Sequence, residues 1–244
     1  MRELNDSAPL TLATMLAIIL GAYLFSGEAN AESNYQDISR VNGSIEVKQG
    51  QQAGNVSTVN GRVQILDGAS VGSVSTVNGS IELSRRSSAR NTETVNGDIQ
   101  IGNGVMVDGS LGTVNGDIRI RDNASIGDSI RTVNGNIELN TGVSVTDKVQ
   151  TANGDIRLIG SSVGGDLVTR NGDVSLQASS TVTGDIVFHD DSRWWDRFFR
   201  LGRLKTPRIH IDASSAVRGN IHLHRPVDLD IESGTVTGEI VRHY

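Results

Sequence analysis

Four aspartates, Asp98, Asp117, Asp155 and Asp173, each stand two residues beyond an Asn that is followed by Gly. If successive repeats stack as neighbouring strands, these carboxylates lie roughly 5 Å apart. That spacing could hold a Ca²⁺ ion or set up an acid/base pair on a glycosidic bond. In other repeats the same position is Ser44, Arg62, Ser80 or Asn136, a mixture that a dedicated site would hardly permit, so the column reads as structural. Histidine supplies a second candidate. All five histidines lie in the last quarter of the chain, and His189, His224 and His243 each follow an inward-reading Ile by three residues. They share one column, where imidazoles could bind a transition metal or respond to pH. The third candidate runs from Asp191 to Pro207 and holds both Trp residues and two of the four Phe residues of the protein. Arg193, Trp194, Trp195, Arg197, Phe198, Phe199 and Arg200 make it aromatic and basic at once. Such a surface suits a membrane interface, an anionic glycan or a partner protein, and equally a flap folded back over neighbouring coils.

A repeat must position all three. Eight Asn-Gly pairs begin at Asn42, Asn60, Asn78, Asn96, Asn115, Asn134, Asn153 and Asn171, with steps of 18, 18, 18, 19, 19, 19 and 18 residues. A period this short describes one coil, which cannot bury its own apolar face and is stable only when stacked on its neighbours. Three and five residues after each Asn the chain is apolar, as in Ile118 and Ile120, and the residue between is polar, as in Arg119. That alternation is a half-buried strand. A second apolar column, Ile38, Val56, Val74, Leu111, Ile130, Val149 and Leu167, is broken by Thr92, and a third runs through Ala53, Val71, Ala89, Val107, Ile126, Val145 and Val163. Three inward faces per coil predict an all-β, single-stranded parallel β-helix, a β-solenoid of triangular section. The Asn-Gly pairs sit at one corner, where Gly is expected to supply positive φ and Asn amides to bond to each other from coil to coil.

After Asn171 the motif changes face. Val182 to Ile186, Val217 to Ile221 and Val236 to Ile240 continue the series, but the step from Ile186 to Ile221 is 35 residues, so the 191–207 stretch is an insertion into one coil. Counting strands gives about ten coils of 18 or 19 residues and a rod roughly 48 Å long.

Composition fits an elongated domain: Gly is 28 of 244 residues, Pro only 3 and aromatics 4%. A formal net charge of −6 argues against a nucleic-acid partner. With no Cys, disulfides, thiolate catalysis and Cys-bound zinc are excluded, and no cofactor is expected. Residues 1–31 stand outside the repeat. Leu10 to Phe25 is apolar, and Ala29-Asn30-Ala31 offers the small-x-small pattern read by signal peptidase. Residues 1–31 are therefore expected to be an export signal, with an uncleaved anchor as the alternative, and 32–244 the solenoid domain. Cleavage would leave 21 basic against 25 acidic side chains, a net charge of −4.

Repeats of the form Thr-Val-Asn-Gly-Asp-Ile, at Thr94 to Ile99 and Thr113 to Ile118, resemble the bacterial adhesin-type β-strand-repeat family, a domain of unknown function. The C-terminal form, Ala213 to Ile221, is similar to bactofilins, polymer-forming proteins with a right-handed triangular β-helix. The first resemblance covers residues 41–177 and the second about 178–242. Together they imply right-handed coils and an exported, non-enzymatic scaffold or adhesin-like binding protein, located in the periplasm or at the surface of a bacterium. Its expected partners are an envelope protein, a glycan or a membrane surface met through the insertion, and a second copy met through the solenoid ends. The alternatives are a β-helix polysaccharide lyase or hydrolase and an end-to-end polymerising structural protein.

Overall fold

The computed structural model describes residues 35–189 and 206–244, all within one compact unit, Asn34–Tyr244. Residues 1–31, expected to be an export signal, lie outside the described residues, as do insertion residues 191–205 with Arg193, Trp194, Trp195, Arg197, Phe198, Phe199 and Arg200. Among the described residues there are strands and no helix. The strands form three parallel sheets of 11, 10 and 7 strands, and each strand pairs with its counterparts one coil before and one coil after. The first sheet runs from Ile38–Asn42 to Ile240–Arg242, the second from Ile45–Val47 to Asp228–Ile231, and the third from Ser88–Ala89 to Ala216–Val217. The chain is thus a β-solenoid of about ten coils. Register carries across the insertion, since Val174 pairs with Ile209 and Ile186 with Ile221.

The predicted inward columns are inside. Ile118 is 0% exposed, between Ile99 and Ile137 in register, and burying such a side chain contributes about 1.5–3 kcal/mol. A further column, Ala69, Ser87, Val105, Ala124, Val143, Ser161, Ser180 and Ser215, is also buried; its small and partly polar residues do not read as apolar in sequence. Several of its hydroxyls return to their own turn: Ser87 Oγ donates to Ser84 O at 2.7 Å and Ser180 Oγ to Gln177 O at 2.6 Å. Thr92, which interrupts the second column, is fully buried, and its hydroxyl has no partner among the described residues.

At the Asn-Gly corner the amide ladder is continuous. Each Asn Nδ2 donates to the Asn Oδ1 one coil earlier, from Asn60 on Asn42 to Asn171 on Asn153, at 2.9–3.0 Å. The reason for Gly differs from the expectation. Of these eight glycines only Gly43 (φ 110°) and Gly154 (φ 157°) have positive φ. What the corner demands is proximity: a Cβ on Gly79, Gly97, Gly116, Gly135 or Gly172 would stand 1.8–2.0 Å from the carbonyl oxygen of the glycine one coil before. The buried threonines from Thr58 to Thr151, two residues before their Asn, tie glycine carbonyls of this row, as Thr94 Oγ1 donates to Gly79 O at 2.9 Å and Thr113 Oγ1 to Gly97 O at 3.0 Å, whereas the Thr169 hydroxyl has no partner among the described residues.

Candidate functional site

The aspartate column is committed to the backbone. Asp117 N–H donates to Asp98 Oδ1 at 2.9 Å, Asn136 N–H to Asp117 Oδ1 at 2.8 Å, Asp173 N–H to Asp155 Oδ1 at 2.8 Å, and Arg208 N–H to Asp173 Oδ1 at 2.9 Å across the insertion. Asn136 fills its place in the row equally well, accepting from Asp155 N–H at 2.8 Å. Ser44 serves in the same way, accepting from Arg62 N–H at 3.3 Å, whereas Arg62 has no acceptor oxygen and instead donates from Nε to Ser80 Oγ at 3.2 Å. The residue before the second apolar column repeats the device at another corner, where Asn55 N–H meets Asp37 Oδ1 and Asn220 N–H meets Asp185 Oδ1. Arg119 turns to the outer oxygens, at 2.5 Å from Asp117 Oδ2 and 3.5 Å from Asp98 Oδ2.

The outward face of the second sheet holds a shallow groove of about 470 Å³, lined by Glu82, Gln100, Arg119 and Glu138, with Asp67, Arg85 and Arg121 at its rim. These four lining residues are consecutive in strand register. Within it charges pair locally, Arg85 with Asp67 at 2.9 Å, and Gln64 Nε2 donates to Glu82 Oε2 at 3.1 Å beside it. On the outward face of the first sheet, Gly112 leaves a notch between Glu93 and Arg131 in register. Burial pushes the Glu93 carboxyl above its usual range, against the pull of Arg131.

The histidine column also assembles. His189 stacks on His224 with ring centroids 5.7 Å apart, and His224 on His243 at 4.2 Å. The rings meet face to face rather than aiming nitrogens at one point, and among the described residues no group of three or more His, Asp or Glu side chains is arranged to hold a metal ion. His222, from the neighbouring outward column, joins the row by an edge contact with His243. At the end of the amide ladder, Arg225 Nη1 donates to Asn171 Oδ1 at 2.5 Å and to Arg170 O at 3.0 Å, taking the place of the next Asn. The Arg225 contacts were not visible in sequence, for they depend on register across the insertion. No family model, curated protein or solved structure matches the chain.

Proposed function

We propose that the protein is an exported, non-enzymatic scaffold or adhesin-like binding protein of a bacterial cell envelope, in keeping with its resemblance to the adhesin-type repeat family. One observation carries this reading: the side chains that a catalytic solenoid would use are spent on holding coils together. Asp98, Asp117, Asp155 and Asp173 accept backbone N–H groups, and Arg119 bridges two of them. The groove favours the enzymatic alternative more than any other feature. Yet Glu82 and Glu138 are separated by two intervening strands, hence by about 14 Å at paired-strand spacing, whereas two-carboxylate glycoside hydrolysis needs about 5–10 Å. A polar groove of balanced charge fits recognition of an extended hydrophilic chain, and the aromatic and basic insertion offers a second contact.

Self-association through the C-terminal end is the other reading with support. Leu229, Ile231 and Val236 are only partly buried and Ile240 is 37% exposed. Against it, Arg242 occupies the register position of Leu223, and an inward charge on a terminal strand discourages edge pairing.

Fractionation of cells carrying the tagged protein, with polysaccharide degradation measured alongside, tests the main reading. The expected result is recovery with the envelope and no release of reducing ends. Sugar release by the wild type that is lost in the Asp98→Asn, Asp117→Asn double variant or in Glu138→Gln, with the fold intact, would replace it with the enzyme.

A further inference from the structure

His222 and His243 meet in a geometry that decides what lies between them. His222 Nδ1 is 3.2 Å from His243 Nε2, while the ring centroids are 5.5 Å apart and the planes differ by 22°. The two separations differ by about one ring width, so both nitrogens lie close to the line joining the rings. One proton between two nitrogen lone pairs fits that arrangement. A metal ion in line would need two bonds of about 2 Å each, and the rings would have to part. On its far side His222 Nε2 is 3.4 Å from Asp185 Oδ2, and His224 lies face-on to His243 at 4.2 Å.

We propose that this imidazole cluster is a proton-operated catch, which holds the last coil closed at neutral pH and releases it in mild acid. With neutral rings, Asp185 favours a proton on His222 Nε2, and His222 Nδ1 accepts from His243 Nε2–H. One added proton is tolerated: His222 becomes an imidazolium that donates to Asp185 and to His243, whose own proton then sits on Nδ1. A second proton puts N–H groups on both facing nitrogens, so the hydrogen bond is lost and like charges oppose each other at 3.2 Å. Around the cluster, Asp185 and Glu239 supply negative charge, while Arg170, Arg225 and Arg242 add positive charge.

The terminal strand yields first. Ile240–Arg242 is at the edge of its sheet, and the His243 amide reaches Leu223 O at 2.8 Å. In an opened coil each imidazole takes its proton freely near pH 6.5. The opened form therefore takes the second proton more readily than the closed one, so acid that supplies that proton favours opening.

Amide hydrogen exchange on the full-length protein tests this, with each rate referred to the free-peptide rate at the same pH. Protection at position 243 is expected to fall at least tenfold from pH 7.5 to pH 5.0 in the wild type, and less than twofold in His222→Gln and in His243→Gln. If one variant does not fold by circular dichroism, the other carries the comparison. Flat protection in the wild type, or an equal fall in the variants, overturns the catch. Protection raised by Zn²⁺ at pH 7.5 in the wild type and not in the variants would also overturn it, in favour of a metal site.

Discussion

The coils that carry the Asn-Gly corner and the coils beyond residue 186 are built on the same three sheets, yet they solve the corner differently. In the first set, Asn amides, Gly carbonyls and Thr hydroxyls interlock, and the inward position two residues before Asn is Thr58, Thr76, Thr94, Thr113, Thr132, Thr151 or Thr169, all buried. Once the corner is lost, that register position becomes Phe188 and then Leu223, both 0% exposed. From Thr58 to Thr151 the hydroxyl reaches a carbonyl; Thr169, the last of the row, makes no such bond, and beyond it an apolar side chain fills the space at no polar cost. The outward residue before each Asn changes in parallel, from Val59, Val77, Val95 and Val133 to Arg170, His189, His224 and His243. Regularity therefore marks where polar groups are consumed by structure, and departure from it marks where they are released for other uses.

The sharpest test of that contrast is a charge placed inside. Ile118→Asp is expected to cost several kcal/mol, because an unpaired carboxylate would sit among Ile99, Ile137 and Ile120. Ile240→Asp, at the open end and 37% exposed, is expected to cost under about 1 kcal/mol, as is the outward Arg119→Asp. Urea unfolding measures all three, and equal losses at positions 118 and 240 would erase the distinction between interior and end.

A smaller effect separates two glycines of one coil. Gly116→Ala brings a Cβ to 2.0 Å from Gly97 O, and the coils must part at about 3 kcal/mol or more. Gly112→Ala meets only Glu93 Cγ, at 3.9 Å, and is expected to be neutral or to stabilise by about 0.5 kcal/mol. Thr92→Val should raise stability by about 1 kcal/mol, since it replaces a buried hydroxyl without a partner by a methyl group of the same shape; a loss would mean that the hydroxyl is satisfied after all.

The smallest effect concerns Asp212, which closes the corner after Arg208–Ile211 by accepting Ala178 N–H at 2.8 Å and Ser214 Oγ–H at 2.9 Å. Desolvation acts to raise its pKa but is outweighed by hydrogen bonds from Ser215, Ala178 and Ser214, which hold it down to about 2. A lowered folded-state pKa contributes stability that is present above the unfolded value near 3.9 and lost as pH falls toward 2. The stability of the wild type should exceed that of Asp212→Asn at neutral pH, and the difference should close as pH falls from about 4 toward 2.

Much of this architecture was legible because Ile, Val and Leu repeat at offsets that only a coil explains, and the Asn ladder follows from identical residues in register. The column through Ala69, Ser87 and Val105 was not, because small side chains fill a narrow corner without an apolar signature. Gly pointed correctly to a special backbone site, but sequence cannot distinguish a positive φ from an approach too close for a Cβ. The contacts of His222 with Asp185 and of Arg225 with Asn171 were missed for a different reason: each is fixed by pairing across a 35-residue step, which changes the neighbours of every later side chain.

The amide ladder also has an electrical meaning. From Asn60 to Asn171 every side-chain amide points its N–H toward the earlier coil and its oxygen toward the later one, so the dipoles add along the corner as peptide dipoles add along a helix. The negative pole emerges at Asn171 Oδ1, and the Arg225 guanidinium is seated on it. The corner of this rod is thus a polarised wire with a cation fixed at its negative end, and Arg225→Ala would leave that pole facing water.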